Sequence, residues 1–210
     1  MKILKNIKTL TPNSLISVLI GILLGDGGIY RTSSTSNCRF EMSFGQHSQQ
    51  FAEKIGELFK DYMSNPVKSV TLKVRDKTYT NYRLKTATLS LFNQYHDMFY
   101  NWNPEKGKYV KIVPKNISEF MDPIVLAYLL MSDGNFDKNR NRVRIFTNSF
   151  TKEEVQILAD SINAKLGIYV GVLHDRKDQW ILTIGAKQLD LLRQTVSQHF
   201  DPSMLYRIGL

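Results

Sequence analysis

The sequence predicts an α/β chain of the α+β kind, made of two pseudo-symmetric α-β-β-α-β-β-α halves at residues 1–105 and 106–210. Three observations predict it. The same order of apolar periodicities runs along the chain twice. Two almost wholly apolar helical stretches end in Asp-Gly, at Asp26-Gly27 and Asp133-Gly134. Paired runs of polar–apolar alternation follow each of them. A length of 210 residues lies between one domain and two, and the repeat resolves it as one compact pseudo-dimeric unit.

In the first half, Asn13–Gly25 reads as a helix, with Asn13 or Ser14 as its cap and Gly27-Gly28 as its stop. Two short strands follow. In the second, RFEMSFG, Phe40, Met42 and Phe44 alternate with Arg39, Glu41 and Ser43. A helix from Ser48 to Met63 places Phe51, Ile55, Leu58 and Phe59 on one face, and Asn65-Pro66 ends it. Val67–Arg75 and Tyr79–Thr88 read as a hairpin turning at Asp76-Lys77, and Leu89–Tyr100 as a helix.

The loop NWNPEKGKYVKIVPKN leads to the second half. There Asp122 caps a helix to Asp133, with Pro123 in its first turn. Arg142–Thr147 is a strand, and Thr151–Leu166 a helix opened by a Thr151/Glu154 capping box. Ile168–Leu173 pairs with Trp180–Ile184, and Gln188–Phe200 is the last helix. One mismatch stands out: Phe44 falls on the apolar side of its strand, whereas Phe146 falls with the arginines, which a bulge would reconcile.

Composition narrows the function. Twenty-eight Lys and Arg against 19 Asp and Glu give +9, and 42% hydrophobic residues are enough for a core, which excludes global disorder. No apolar run approaches the roughly 18 residues of a membrane span. The single Cys38 excludes an intrachain disulfide framework and a multi-thiolate zinc site. MKILKNIKTL lacks the apolar core and cleavage site of a secretory leader, so an intracellular protein is expected. Residues 1–105 hold 13 basic and 8 acidic groups, and residues 106–210 hold 15 and 11, or +5 and +4. With no basic amphipathic helix to suit a membrane, nucleic acid is the expected partner.

The chemistry concentrates at the two helix ends. A helix C-terminus carries partial negative charge, so an Asp there is unfavourable unless something positive offsets it. A single Asp-Gly after an apolar helix is ordinarily a turn. Two in register on a basic chain point to a bound cation. Helices apolar on nearly all sides are buried, and Gly21 and Ala127 are small enough for their backbones to approach. Packing them together would bring Asp26 and Asp133 to one end of a pseudo-twofold axis, where Mg²⁺ would relieve the repulsion of the carboxylates.

LIGILLGDG (Leu19–Gly27) and LAYLLMSDG (Leu126–Gly134) resemble the motif of the LAGLIDADG homing endonucleases in their two-motif monomeric form. The motif's inner acidic position holds Leu24 and Met131, and its glycine is Tyr128 in the second copy, which makes the helix interface asymmetric. The resemblance implies a saddle on duplex DNA, with two antiparallel sheets flanking the motif helices. It implies Asp26 and Asp133 as metal ligands, helped by backbone carbonyls of Gly25 and Ser132. It further implies two or more Mg²⁺, with Mn²⁺ substituting and Ca²⁺ binding without cleavage. The reaction would be hydrolysis of one phosphodiester in each DNA strand. Lys111 and Arg207 fit the family's basic residue near each scissile phosphate, and Gln46 and Asn148 its solvent-positioning places. An intron-encoded member is expected in an organelle, mitochondrion or chloroplast.

The expected DNA-reading surface is the polar side of the strands: Arg39, Lys73, Arg75, Asn81, Arg83 and Lys85, then Arg142, Arg144, His174 and Arg176. If each half follows one groove, the site is on the order of 20 bp and only partly symmetric. His47, His96, His174 and His199 read as polar surface or DNA contacts, and Trp102 and Trp180 as core or interface residues. Two other readings share the fold: an RNA maturase binding an intron, and a DNA-binding protein with vestigial acids.

Overall fold

A computed structural model describes residues 12–210, so MKILKNIKTL lies outside the described residues. The helices are α1 (Asn13–Leu24), α2 (Gln49–Phe59), α3 (Asn93–Phe99), α4 (Pro123–Asp133), α5 (Lys152–Leu166) and α6 (Leu189–Val196). The strands are β1 (Gly28–Arg31), β2 (Cys38–Phe44), β3 (Lys68–Val74), β4 (Lys77–Lys85), β5 (Tyr100–Asn103), β6 (Lys108–Lys111), β7 (Gly134–Asp137), β8 (Arg142–Ile145), β9 (Gly171–Arg176) and β10 (Gln179–Ile184). No described helix is long and apolar enough to cross a membrane. The α+β fold of two repeated halves is the one the sequence predicts. Its described residues form two compact units, residues 26–97 and residues 12–25 with 98–210.

The 26–97 unit is an antiparallel sheet in the order β1-β2-β4-β3. Strict alternation along β2 buries Cys38, Phe40, Met42 and Phe44 and turns Arg39, Glu41 and Ser43 outward. Helix α2 covers the buried face, with the Phe40 and Phe59 rings 5.0 Å apart and those of Phe44 and Phe51 5.7 Å apart. Phe51, Ala52, Ile55 and Phe59 fill the core, whereas Leu58 is exposed, one position off the buried stripe. The helix tightens to a 3₁₀ turn at Lys60–Tyr62 before Asn65-Pro66. The β3–β4 turn is Arg75-Asp76, one residue earlier than expected, because Val74 pairs with Lys77. His96 is a core residue, not surface or a DNA contact: it is 3% exposed, and burial lowers its pKa despite the Asp97 carboxylate beside it.

The other unit is built around α1 and α4. Helix α4 buries every residue from Val125 to Ser132, each large apolar side chain contributing about 1.5–3 kcal/mol. Gly21 lets α1 approach: a Cβ there would lie 2.5 Å from the Val125 carbonyl oxygen and 2.8 Å from Tyr128 Cβ. Glycine on one helix thus meets the tyrosine on the other, and Ala127 is buried as expected. Neither Asn13 nor Ser14 caps α1; Pro12 occupies the cap position without a side-chain bond. Asp122 does cap α4, accepting from Val125 N at 2.8 Å, and also accepts from Ser17 Oγ of α1 at 2.6 Å. The second sheet, β7-β8-β10-β9, repeats the order of the first. Helix α5 opens with the expected capping box and ends at Gly167, whose φ of +68° favours glycine.

The Phe44/Phe146 mismatch has a different cause from a bulge. Met42 pairs with Leu84, and its counterpart Ile145 with Leu182. Phe44 opposite Tyr82 therefore corresponds to Thr147, whose Oγ1 donates to the Trp180 carbonyl at 2.8 Å. Phe146 corresponds to outward Ser43. The turns closing at Ser48 and Phe150 then follow, so the second copy is one residue shorter at Gly45. The segment expected as a loop after α3 is the hairpin β5–β6, with Pro104–Gly107 at its tip.

Candidate active site and nucleic-acid interface

The last carbonyls of a helix have no partner within it, and cations suit that end. Helix α1 ends at Gly25 and α4 at Asp133-Gly134. Lys111, the last residue of β6, donates from Nζ to the Gly25 carbonyl at 2.7 Å. Arg207, in the 3₁₀ segment Pro202–Ile208, donates from Nη1 to the Gly134 carbonyl at 2.7 Å. Its guanidinium lies 5.6 Å from the Tyr206 ring centroid, and its Nε is buried without a hydrogen-bond partner. Both basic residues named from the sequence thus reach the end of a motif helix. The attachment is offset by two positions: Lys111 holds the residue before Asp26, Arg207 the residue after Asp133.

Gly25 is the site residue whose reason the sequence reading missed. A Cβ on it would lie 2.5 Å from Ser132 Cβ and 2.7 Å from Asp133 Oδ2. The absent side chain leaves the Asp133 carboxylate against the α1 terminus, and Asp26 follows as the next residue. Gly21 and Gly25, four apart, mark one face of α1, a spacing that was readable. Ser132 Oγ is buried with no hydrogen-bond partner. A carboxylate, a carbonyl and an unsatisfied hydroxyl are hard oxygen donors, so these residues fit Mg²⁺ or Mn²⁺. No group of three or more His, Cys, Asp or Glu side chains poised for a metal occurs among the described residues. A cation here would therefore complete its shell with water and ligand oxygens.

Gln46 and Asn148 stand at matching places after β2 and β8. Gln46 is exposed, its Nε2 3.0 Å from His47 Nε2. Asn148 Nδ2 donates to Asp175 Oδ2 at 3.0 Å and to Gln179 Oε1 at 3.2 Å, tying the strand end to the β9–β10 hairpin.

Register sorts the expected DNA contacts by face. Arg39 opposite Tyr30, Glu41 opposite Lys85, Ser43 and Lys68 flanking Arg83, and Asn81 opposite Val70 share the outer face of the first sheet. Lys73 pairs with Thr78 and lies on the other face of the ribbon, because β3 is shifted so that its apolar side is outward. Arg39 and Lys85 both approach the Glu41 carboxylate. In the second sheet, Arg142 and Arg144 face outward opposite Asp137 and Asn135. Arg142 Nε donates to Asp137 Oδ2 at 3.2 Å, and Arg144 Nη2 to Asn135 Oδ1 at 3.0 Å. Partial burial of Asp137 opposes its ionisation, but the Arg142 hydrogen bond, the Arg140 N–H and the two guanidinium charges hold its carboxyl below the usual range. This acid clamp was not anticipated. His174 pairs with Trp180, rings 5.1 Å apart, on the face away from Arg144, and Arg176 stands at the exposed tip. The β3–β4 and β9–β10 turns are each a basic residue followed by Asp, and Arg75 (φ +54°) and Lys177 (φ +48°) take left-handed backbone. Such backbone costs roughly 1–2 kcal/mol without glycine. Trp102 is 57% exposed, so it is not a core residue.

The sequence model of the LAGLIDADG DNA endonuclease family matches residues 16–192. The chain is 31% identical over 144 residues to the intron-encoded endonuclease ai4 of Dictyostelium discoideum, covering 67% of this chain and 86% of that protein. It is 24% identical over 210 residues, 97% of its length, to the cytochrome b mRNA maturase bI2 of Saccharomyces cerevisiae, and spans 49% of that protein. The fold matches the homing endonuclease I-WcaI bound to its DNA recognition sequence, with a TM-score of 0.85 and 23% identity over 95% of this chain and 87% of that one. It also matches I-DmoI in complex with DNA and Mn, with a TM-score of 0.52 and 21% identity over 87% and 96%.

Proposed function

The chain belongs to the LAGLIDADG DNA endonuclease family, and we propose that it is a site-specific homing endonuclease making a double-strand break in a long, partly asymmetric duplex. The observation that carries this reading is the pair of cations, Lys111 and Arg207, each bonded to a carbonyl beside a motif aspartate. Asp26 and Asp133 hold divalent cations, Mg²⁺ or Mn²⁺, with the Gly25 and Ser132 carbonyls assisting. When bound, these ions activate water and stabilise the leaving oxygen. Lys111 and Arg207 face the scissile phosphates and offset charge developing there. Arg207 stays protonated and takes no proton. Gln46 and Asn148 orient solvent. The outward residues of the two sheets, with the hairpin tips, grip the duplex as a monomer. By analogy with intron-encoded relatives, the protein works in an organelle.

The test is incubation with a library of long duplexes and Mg²⁺, with Asp26→Asn and Asp133→Asn as controls. Cleavage of both strands of one target by the wild type and by neither variant supports the reading. No cleavage of any duplex, with tight metal-independent RNA binding, would support the second reading, an intron maturase. That reading is favoured by the match along 97% of the chain to a protein named as one.

A further inference from the structure

The β5–β6 hairpin carries more than Lys111. In an antiparallel pair, residues directly opposite share a face, and the face recurs every second residue. Tyr100 pairs with Lys111, and Trp102 pairs with Tyr109, so all four side chains lie on one face of the hairpin. Lys111 fixes which way that face looks, since its ammonium reaches the carbonyl at the end of α1. Two residues nearer the tip, Trp102 is 57% exposed and Tyr109 49% exposed. Their rings stand edge to face, with centroids 5.3 Å apart at 71°. Large aromatic rings left in water beside a cationic site cost solvation that a partner recovers. The hairpin has Lys106, Lys108 and Lys111 against Glu105, a surface suited to a polyanion. The second half repeats the arrangement in reduced form, with Tyr206, 58% exposed, beside Arg207.

We propose that Trp102 and Tyr109 form an aromatic clamp on duplex DNA, packing against the deoxyribose and base edges of the nucleotides flanking the phosphate that Lys111 faces. The proposal rests on the nuclease reading above for the identity of the partner. Apolar and aromatic side chains that press on a duplex hold or wedge its base steps. A pair of rings at one cation and a lone tyrosine at the other makes the two cuts unequal. The strand held at Lys111 depends on the clamp, and the strand held at Arg207 depends on Tyr206.

The experiment uses Trp180→Phe, which leaves Trp102 as the one tryptophan of the two in the chain. It is titrated with mixed-sequence duplex DNA in low salt, and with the target duplex in Ca²⁺, while gel shift reports binding independently. The expected result is quenching of Trp102 emission and its protection from acrylamide. Trp102→Ala and Tyr109→Ala are expected to weaken binding about 5–100-fold, and to slow one strand's nick more than the other's. Trp102→Phe should restore most of the affinity. Binding by gel shift with Trp102 emission and acrylamide access unchanged would overturn the clamp and leave the nuclease reading intact. Quenching by single-stranded RNA but not by duplex would overturn the clamp on DNA in favour of an RNA surface. Absence of any duplex binding by the wild type would instead overturn the nuclease reading, and the clamp with it.

Discussion

Lys111 Nζ donates to the carbonyl oxygen of Gly25 at 2.7 Å, joining positions 86 residues apart in sequence. A charge-assisted bond to a helix C-terminal carbonyl both stabilises that terminus and fixes where the ammonium sits. The cleavage role proposed for it is separable from its part in the fold. Lys111→Met should lower the single-turnover cleavage rate about 10²–10³-fold, the loss typical of removing one preorganised donor at developing charge. DNA affinity, measured in Ca²⁺, should change far less, because one phosphate contact among many is lost. Equal losses in affinity and rate would show that Lys111 serves binding alone.

The two glycines of α1 give a packing prediction. Alanine at Gly21 would meet the Val125 carbonyl oxygen at 2.5 Å, and alanine at Gly25 would meet Ser132 Cβ at the same separation. Overpacking of this kind costs about 1–3 kcal/mol, which for a chain of this size lowers Tm by about 2–12 °C. Gly25→Ala should also depress Mg²⁺-dependent cleavage, since its Cβ would lie 2.7 Å from Asp133 Oδ2. Gly21→Ala should keep cleavage in proportion to the folded fraction. Thermal melts followed by cleavage at a temperature where both variants are folded separate the two effects.

Asp122 serves two elements at once, through Val125 N and Ser17 Oγ. Asp122→Ala should destabilise by about 0.5–2 kcal/mol for the lost cap, with a further loss for the half-buried Ser17 hydroxyl left without this partner. Ser17→Ala alone should cost about 0.5–1.5 kcal/mol. A double-mutant cycle in urea should give a non-zero coupling energy. Additive effects would mean that Ser17 and Asp122 do not depend on one another.

His96 supplies a pH dependence. Burial lowers its pKa in the folded protein, so the unfolded chain binds the proton first as pH falls. Stability from the neutral, buried imidazole is fully present above the unfolded pKa of about 6.5. It is lost progressively as pH drops below that value toward the lowered folded one. Urea midpoints of the wild type should therefore fall across this window, and His96→Gln should flatten the slope there. An unchanged slope would place the acid sensitivity on other groups.

The helices and most strands were legible because each carries a strong local pattern. The α4 cap, the α5 capping box and the β2 alternation are consequences of neighbouring residues, and they lie where the sequence puts them. The β5–β6 hairpin was not legible as strands, because four-residue runs bounded by Asn-Pro and Lys-Gly resemble any polar connection. The side of β3 that faces outward was also hidden, since its register depends on Val74 pairing with Lys77 across the sheet ribbon. At the site, Lys111 and Arg207 were named through the family resemblance, and both reach the end of a motif helix. The need for glycine at Gly25 became visible only with Ser132 and Asp133 in place against it.

Helix α1 opens the described chain yet is buried against α4, whose first residue comes 110 positions later than that of α1. During synthesis at roughly 5–20 residues per second, an apolar helix would wait about 5–20 s for its partner to emerge. The intervening 26–97 unit has its own sheet and core and can form meanwhile. The burden on the cell is therefore concentrated in one short stretch, Leu15–Leu24, that needs shielding on the ribosome. It also means that cutting the gene between the two repeats would strand this helix with the wrong fragment.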